Sequence, residues 1–281
     1  MASPVSKAHH REMAESIVPP SDEHLTDGWE PDLPADDTLV RQAVLVHASW
    51  PLDLATALHR PRRRTDHWAG AHLGGRGALT NAVVLLQPLA DPDVLGEVDE
   101  IVPPSVPYFL LSAWPTPDLT GQGLALLGHP PLMVRFPSPG GIPEPEGVEV
   151  REVTNAADLA VAERVLVDGY PMPDLEPLSP GDLLAPGILG GPTRVWLAYA
   201  DEEPAAVAAA HVHAGLVLVE YVAALPSARG RGAGASVAWA ATLADPSLPA
   251  VLVASDDGRP VYEHMGYVAI ERWTAWLRPG T

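Results

Sequence analysis

The chain has 281 residues, 47% of them hydrophobic, enough for one large or two ordinary domains with a full core. A formal net charge of -19 disfavours a nucleic-acid partner and would steer a cationic substrate inward, while an acidic surface also serves solubility. No cysteine is present, which excludes disulfides, thiolate metal sites and a cysteine nucleophile. No run of about 18 apolar residues occurs, so no membrane-spanning helix is expected. The first ten residues are polar without an apolar stretch, so a cytoplasmic location is the expectation.

Residues 1–37 carry many charges and prolines without an apolar period and read as a flexible tail. Residues 38–137 form a first region. Within it, 82–86 and 108–112 read as strands, 119–127 as a helix stopped by Gly128, and 133–136 as a last strand. Arg62, Arg63 and Arg64 read as a solvated loop, and so do the glycine-rich residues 74–77. Residues 138–146 are dense in proline and glycine and read as a linker.

Residues 147–281 have a clearer rhythm. Residues 148–153 alternate as a half-buried strand does, and Thr154 and Asn155 offer N-caps. Leu159, Ala162, Val165 and Leu166 then recur at helical spacing up to Gly169. Residues 194–199 read as a strand, and 205–213 and 216–224 as two apolar strands about an Ala214-Gly215 turn. A helix of small residues over 233–244, a buried strand at 251–254, a short helix at 259–265 and a final strand at 272–277 follow. This order predicts an α/β chain whose mixed sheet has helices on both faces.

The chemistry concentrates in Glu220-Tyr-Val-Ala-Ala-Leu-Pro-Ser-Ala-Arg-Gly-Arg-Gly-Ala-Gly-Ala235, a strand running through a glycine-rich turn into a helix. Arg229, Gly232 and Gly234 stand in the spacing R-x-x-G-x-G. Unpaired N–H groups at a helix start attract an anion, and glycines let a pyrophosphate approach the backbone. A Walker loop needs a lysine that is absent here. A dinucleotide fingerprint needs a different glycine spacing and an earlier strand.

Residues 222–234 resemble motif A of the GCN5-related N-acetyltransferases (GNAT), and residues 251–267 resemble that family's closing strand, tyrosine-bearing helix and Gly-Tyr. The resemblance covers roughly residues 147–279. It implies a mixed, splayed sheet flanked by helices, preceded over 38–137 by a smaller, degenerate domain of similar type. It implies acetyl-CoA as acyl donor, a small-molecule or peptide amine as acceptor, direct attack and no metal. Backbone groups of Val222, Ala223 and Ala224 would then hold the pantetheine arm. N–H groups of Arg229, Gly230, Arg231, Gly232, Ala233, Gly234 and Ala235 would hold the pyrophosphate.

Tyr262 matches the family's tyrosine and could protonate the departing thiolate; a core tyrosine is the other reading. Glu220, among apolar neighbours, could act as general base or form a salt bridge. Ser255 could touch the acyl donor or cap a helix. His211 and His213 share a strand face with Glu220, where packing competes with a role as base or in binding the acceptor. Residues 170–175 occupy the stretch that covers the acceptor site in the family. A non-catalytic acyl-CoA-binding sensor or scaffold is the alternative function. A homodimer stays open, and 147–281 is expected to keep some affinity for acetyl-CoA alone.

Overall fold

The computed structural model describes residues 38–280 except Arg76, Pro143, Glu144, Pro171 and the side chain of Asp174. The tail expected over residues 1–37 lies outside the described residues, as does Arg76 of the glycine-rich stretch. The elements are, in order, α1 Leu39–Ala57, β1 Arg62–Arg64, β2 Trp68–His72, β3 Asn81–Leu85, β4 Tyr108–Ser112, β5 Ala125–Gly128 and β6 Pro131–Arg135. There follow β7 Val148–Glu152, α2 Ala156–Gly169, β8 Thr193–Ala200, β9 Glu203–His213 and β10 Leu216–Ala224. The last are α3 Ala233–Thr242, β11 Ala250–Val253, α4 Arg259–His264, β12 Val268–Arg272 and β13 Thr274–Arg278. No helix among the described residues is long and apolar enough to cross a membrane.

Two mixed sheets result. The first runs β1-β2-β3-β4-β13-β5 and the second β12-β6-β11-β10-β9-β8-β7. Each has a meander of antiparallel strands, one parallel step (β3 to β4, β10 to β11), then two antiparallel pairs. Sheet membership departs from sequence order at two strands. β6 lies between β11 and β12, and β13 lies between β4 and β5. Every residue of β6 is buried, as a strand flanked on both sides requires. The loop between β6 and β7 contains the proline- and glycine-rich residues 138–146, so strands cross that boundary in both directions.

Helix α1 lies between the sheets, against β2 and β3 on one side and β9 and β10 on the other. The Thr38 hydroxyl accepts from the Arg41 N–H at 3.0 Å and caps it. All its residues from Ala43 to Pro51 are buried, so it has no polar face there. Helix α2 shares that side of the second sheet, and its Leu159, Ala162, Val165 and Leu166 join the core between the sheets. Helix α3 covers the opposite face, where Val237, Ala238 and Ala241 pack on Ala198, Ala206, Ala208, Val217 and Val219. The alanine-rich face of β9 lets α3 approach closely.

Three expectations are corrected. Residues 119–127 are not a helix: Thr120–Gln122 make one 3-10 turn, Gly123 adopts a left-handed φ of 79°, and β5 follows as an edge strand. The final stretch is two strands, β12 and β13, divided at the buried Trp273. Residues 62–64 form the edge strand β1, where Arg63 pairs with Glu97 and Glu100.

Candidate active site

The site is built where β10 and β11 part. They pair in parallel at only two positions, Val217 with Ala250 and Leu218 with Val251. Beyond these, β10 continues to Ala224 with no strand partner on that side. A register shift against β9 falls between Glu220 and Ala223, and Tyr221 in it has a φ of 54°. Such a bulge sets an extra residue into the strand and turns it. Leu218 and the later Ala223 both join the core between the sheets, while Val217, Val219, Val222 and Ala224 face α3. The alternation thus changes phase at the bulge, and Glu220, two residues after Leu218, is carried toward α1.

Past β10 a 3-10 turn, Pro226–Ala228, leads into the glycine-rich turn. Gly230 and Gly232 adopt left-handed φ values of 75° and 85°. Gly232 caps α3 with no side-chain acceptor, so the first N–H groups of the helix have no partner from a cap. A Cβ on Gly232 would stand 2.8 Å from Pro145 Cγ, whereas one on Gly234 would meet Ala224 Cβ at an ordinary 3.6 Å. A cleft of about 410 Å³ runs over this turn, lined by Val222, Ala223, Ala224, Arg229, Gly230, Gly232, Gly234, Ala235, Ser255, Tyr262 and Tyr170, among others.

Most of the residues singled out in the sequence therefore line one cleft. Ala233 is buried beneath it, and Arg231 instead pairs with Asp201 at the surface. Arg229 directs its guanidinium to the Gly169 carbonyl at the end of α2, at 3.2 Å, where a cation suits the helix dipole. The Ser255 hydroxyl accepts from the Gly258 N–H at 3.1 Å, fixing the turn into α4 while its side chain still borders the cleft.

Tyr262 lies on α4, half-buried, with its ring edge-on to Tyr267 at 5.8 Å between centroids. Burial, and then the neighbouring Tyr170, Tyr267 and Glu220, push its phenol above the ordinary tyrosine range, so it stays protonated. Glu220 borders a second cavity of about 200 Å³ that extends toward α1 and is lined also by Tyr170, Tyr221, Trp50 and His47. Burial pushes its carboxyl up to about 7, opposed only by a hydrogen bond from the Tyr221 N–H. Glu220 forms no salt bridge among the described residues. Tyr170 borders both cavities and joins them.

Helix α2 also fixes the loop over this junction. Glu163, fully buried, accepts N–H groups of Gly181 at 2.8 Å and Leu184 at 3.0 Å, and that of Leu183 at 2.5 Å. Leu183 thereby lines the second cavity. His211 is a packing residue: its Nδ1 bonds Thr193 at 2.9 Å and its Nε2 bonds Ser49 of α1 at 2.8 Å. Burial lowers it to about 4, so it stays neutral. His213 is exposed beside it. His47, Trp50 and Tyr221 were not legible in the sequence as lining residues, because they meet only through tertiary packing.

No protein-family model matches the chain, and no curated protein matches it in sequence. Solved structures do. A GCN5-related N-acetyltransferase from Kribbella flavida aligns over 83% of this chain and 96% of its own, at a TM-score of 0.58 and 23% identity. A GCN5-related N-acetyltransferase-like protein from Streptococcus suis aligns over 84% and 97%, at 0.53 and 16%. A GCN5-related N-acetyltransferase from Sphaerobacter thermophilus aligns over 76% and 77%, at 0.51 and 13%. The chain therefore has the GNAT fold, α/β with a splayed mixed sheet.

Proposed function

Proceeding from that fold, we propose that the chain is an acyl-CoA-dependent N-acyltransferase that moves an acetyl group from acetyl-CoA to an amine. One observation carries this reading: the glycine-rich cleft and the cavity of Glu220 adjoin at Tyr170. An acyl donor and an acceptor could therefore meet from opposite sides of the splay. The cleft fits a diphosphate with an extended arm. Gly232 gives the backbone a left-handed conformation that residues with a Cβ rarely adopt, the α3 N–H groups lack a side-chain cap, and β10 has unpaired backbone beside them.

Acetyl-CoA supplies an acyl group activated as a thioester. Val222, Ala223 and Ala224 hold its arm through their backbone, and the amides from Arg229 to Ala235 hold its diphosphate. Glu220 takes a proton from the acceptor ammonium, since only a neutral amine attacks. Its carboxyl, raised to about 7, suits this near neutral pH. As the carbon–nitrogen bond forms and the carbon–sulfur bond breaks, the Tyr262 hydroxyl donates its proton to the departing sulfur, and the second proton lost by the amine nitrogen restores the Tyr262 hydroxyl.

The matching pairing order of the two sheets supports reading 38–137 as a degenerate GNAT-like domain. It lacks an R-x-x-G-x-G, so one acetyl-CoA binds per chain. Calorimetry should give a stoichiometry near one, and release of free thiol from acetyl-CoA should depend on an added amine. Tight binding without amine-dependent thiol release would favour an acyl-CoA sensor or scaffold instead.

A further inference from the structure

The cavity beside Glu220 has a lining unsuited to most amines. Among its lining residues Glu220 is the only one that takes a formal charge near neutral pH; the rest are apolar, aromatic or neutral there. Among the described residues no lysine or arginine lines it, so an acceptor carboxylate or phosphate would face an acid with no described cation to offset it. No second acid lines it either, so a second ammonium would go unpaired. At about 200 Å³ it is smaller than the roughly 300–1,000 Å³ of pockets for drug-sized ligands.

His47 of α1 lines the same cavity and is buried. Its Nδ1 lies 2.7 Å from the Ala43 carbonyl oxygen. A carbonyl only accepts, so Nδ1 carries the hydrogen and Nε2 carries the lone pair. Burial lowers the ring to about 4, which keeps that lone pair available at neutral pH. Nε2 is shut off from solvent and has no hydrogen-bond partner among the described residues. The other buried side-chain nitrogens without partners belong to Arg41, Trp68 and Arg278 and are donors, so His47 Nε2 is the one acceptor among them. A buried acceptor left unsatisfied is costly, so a ligand donor that reached it from the adjoining cavity with a small shift of the ring would be favoured.

We propose that the acyl acceptor is a small primary amine on a compact apolar body, without carboxylate or second cation, bearing one O–H or N–H group that His47 Nε2 accepts. His47 is then a specificity-determining residue, and the region 38–137 contributes half of the acceptor's seat. This inference rests on the acyl-transfer reading. A wider cleft of about 790 Å³, which shares Phe109, Leu111 and Val253 with the cavity, is the acceptor's way in.

Four probes of similar size test it: tyramine, phenethylamine, 4-methoxyphenethylamine and tyrosine. With the full chain and acetyl-CoA, tyramine should exceed each of the others at least tenfold in kcat/KM, because a site built around a hydrogen bond rejects analogues that lack it. In His47→Phe, which keeps a ring against Trp273, the ratio of tyramine to phenethylamine should fall to within about twofold; acetyl-CoA binding and a cooperative melt confirm that it folds. If it does not fold, the four-probe series on the parent decides alone. Equal or better use of phenethylamine or tyrosine by the parent overturns the proposal, as does a preference for tyramine that survives in His47→Phe. Turnover of other amines with all four probes untouched also overturns it and leaves acyl transfer standing. Absence of thiol release with any amine would overturn acyl transfer itself.

Discussion

In the proposed reaction two side chains would divide the proton traffic, because their surroundings move them in useful directions. Tyr262 is held above the ordinary tyrosine range by burial, so it arrives protonated and can give its hydrogen to the sulfur only as charge develops there. Tyr262→Phe should therefore lose at least about tenfold in kcat with acetyl-CoA affinity nearly unchanged, within the usual range of roughly 10²–10⁴ for general acid help. Turnover equal to the parent on a verified acceptor would make Tyr262 a packing residue. Glu220 would have the opposite task in that reaction, and its carboxyl is raised to about 7. For the parent, kcat/KM should climb through that pH as the carboxylate forms; Glu220→Gln should lose this limb and about 10²-fold or more in rate. Stability should move the other way. The folded state holds the Glu220 proton in a window from about 4.5 to about 7 where the unfolded chain has released it, so stability contributed by this group falls as pH rises through that window. Glu220→Gln should therefore melt above the parent at pH 8, with the gap closing toward pH 5. A gap that grows toward pH 5 would show that the carboxyl is not raised.

At the scale of elements, the start of α3 separates binding from stability. Gly234 has an ordinary backbone and room for a Cβ, so Gly234→Ala should fold as the parent does. Gly234→Asp adds a carboxylate to the first turn of a helix, worth about 0.3–1 kcal/mol of stabilisation. The same charge would repel a diphosphate there, so affinity for acetyl-CoA should fall at least tenfold while the melting temperature holds or rises. Undiminished affinity would move the diphosphate elsewhere. Gly232→Asp should also abolish binding, but with strain at φ 85° and a clash with Pro145 besides. This turn was legible in the sequence because its parts are local: the glycines, the arginine and the following helix are contiguous. Strand β6 was legible as an apolar strand, but nothing in residues 131–135 says which sheet receives it. Helix α1 gave no amphipathic period, being covered on both sides, and Pro51 within it reads as a breaker. The cavity of His47, Trp50, Tyr170 and Glu220 was beyond local reading, since these residues come from different elements that meet only in the fold.

The described residues form two sheets that exchange strands around α1. Removing residues before 147 takes β6 from between β11 and β12 and leaves β13 without β4 and β5. The fragment 147–281, which its own sequence would suggest can bind acetyl-CoA, should therefore lack a cooperative melt and bind none. A fragment that melts cooperatively and binds would show that the exchanged strands are dispensable. The same exchange bears on how the chain is made. Domains commonly fold in order as they leave the ribosome. Here the first sheet cannot be completed until residues 274–278 emerge, since β13 is an inner strand of it. The strand β6 meanwhile waits through more than a hundred residues of synthesis for β11, exposing its apolar run. Neither sheet can close until the last strands, β12 and β13, emerge, so a nascent chain would depend on chaperone cover until then. A gene that lost either half would lose both, which ties the half without a glycine-rich helix start to the half that has one.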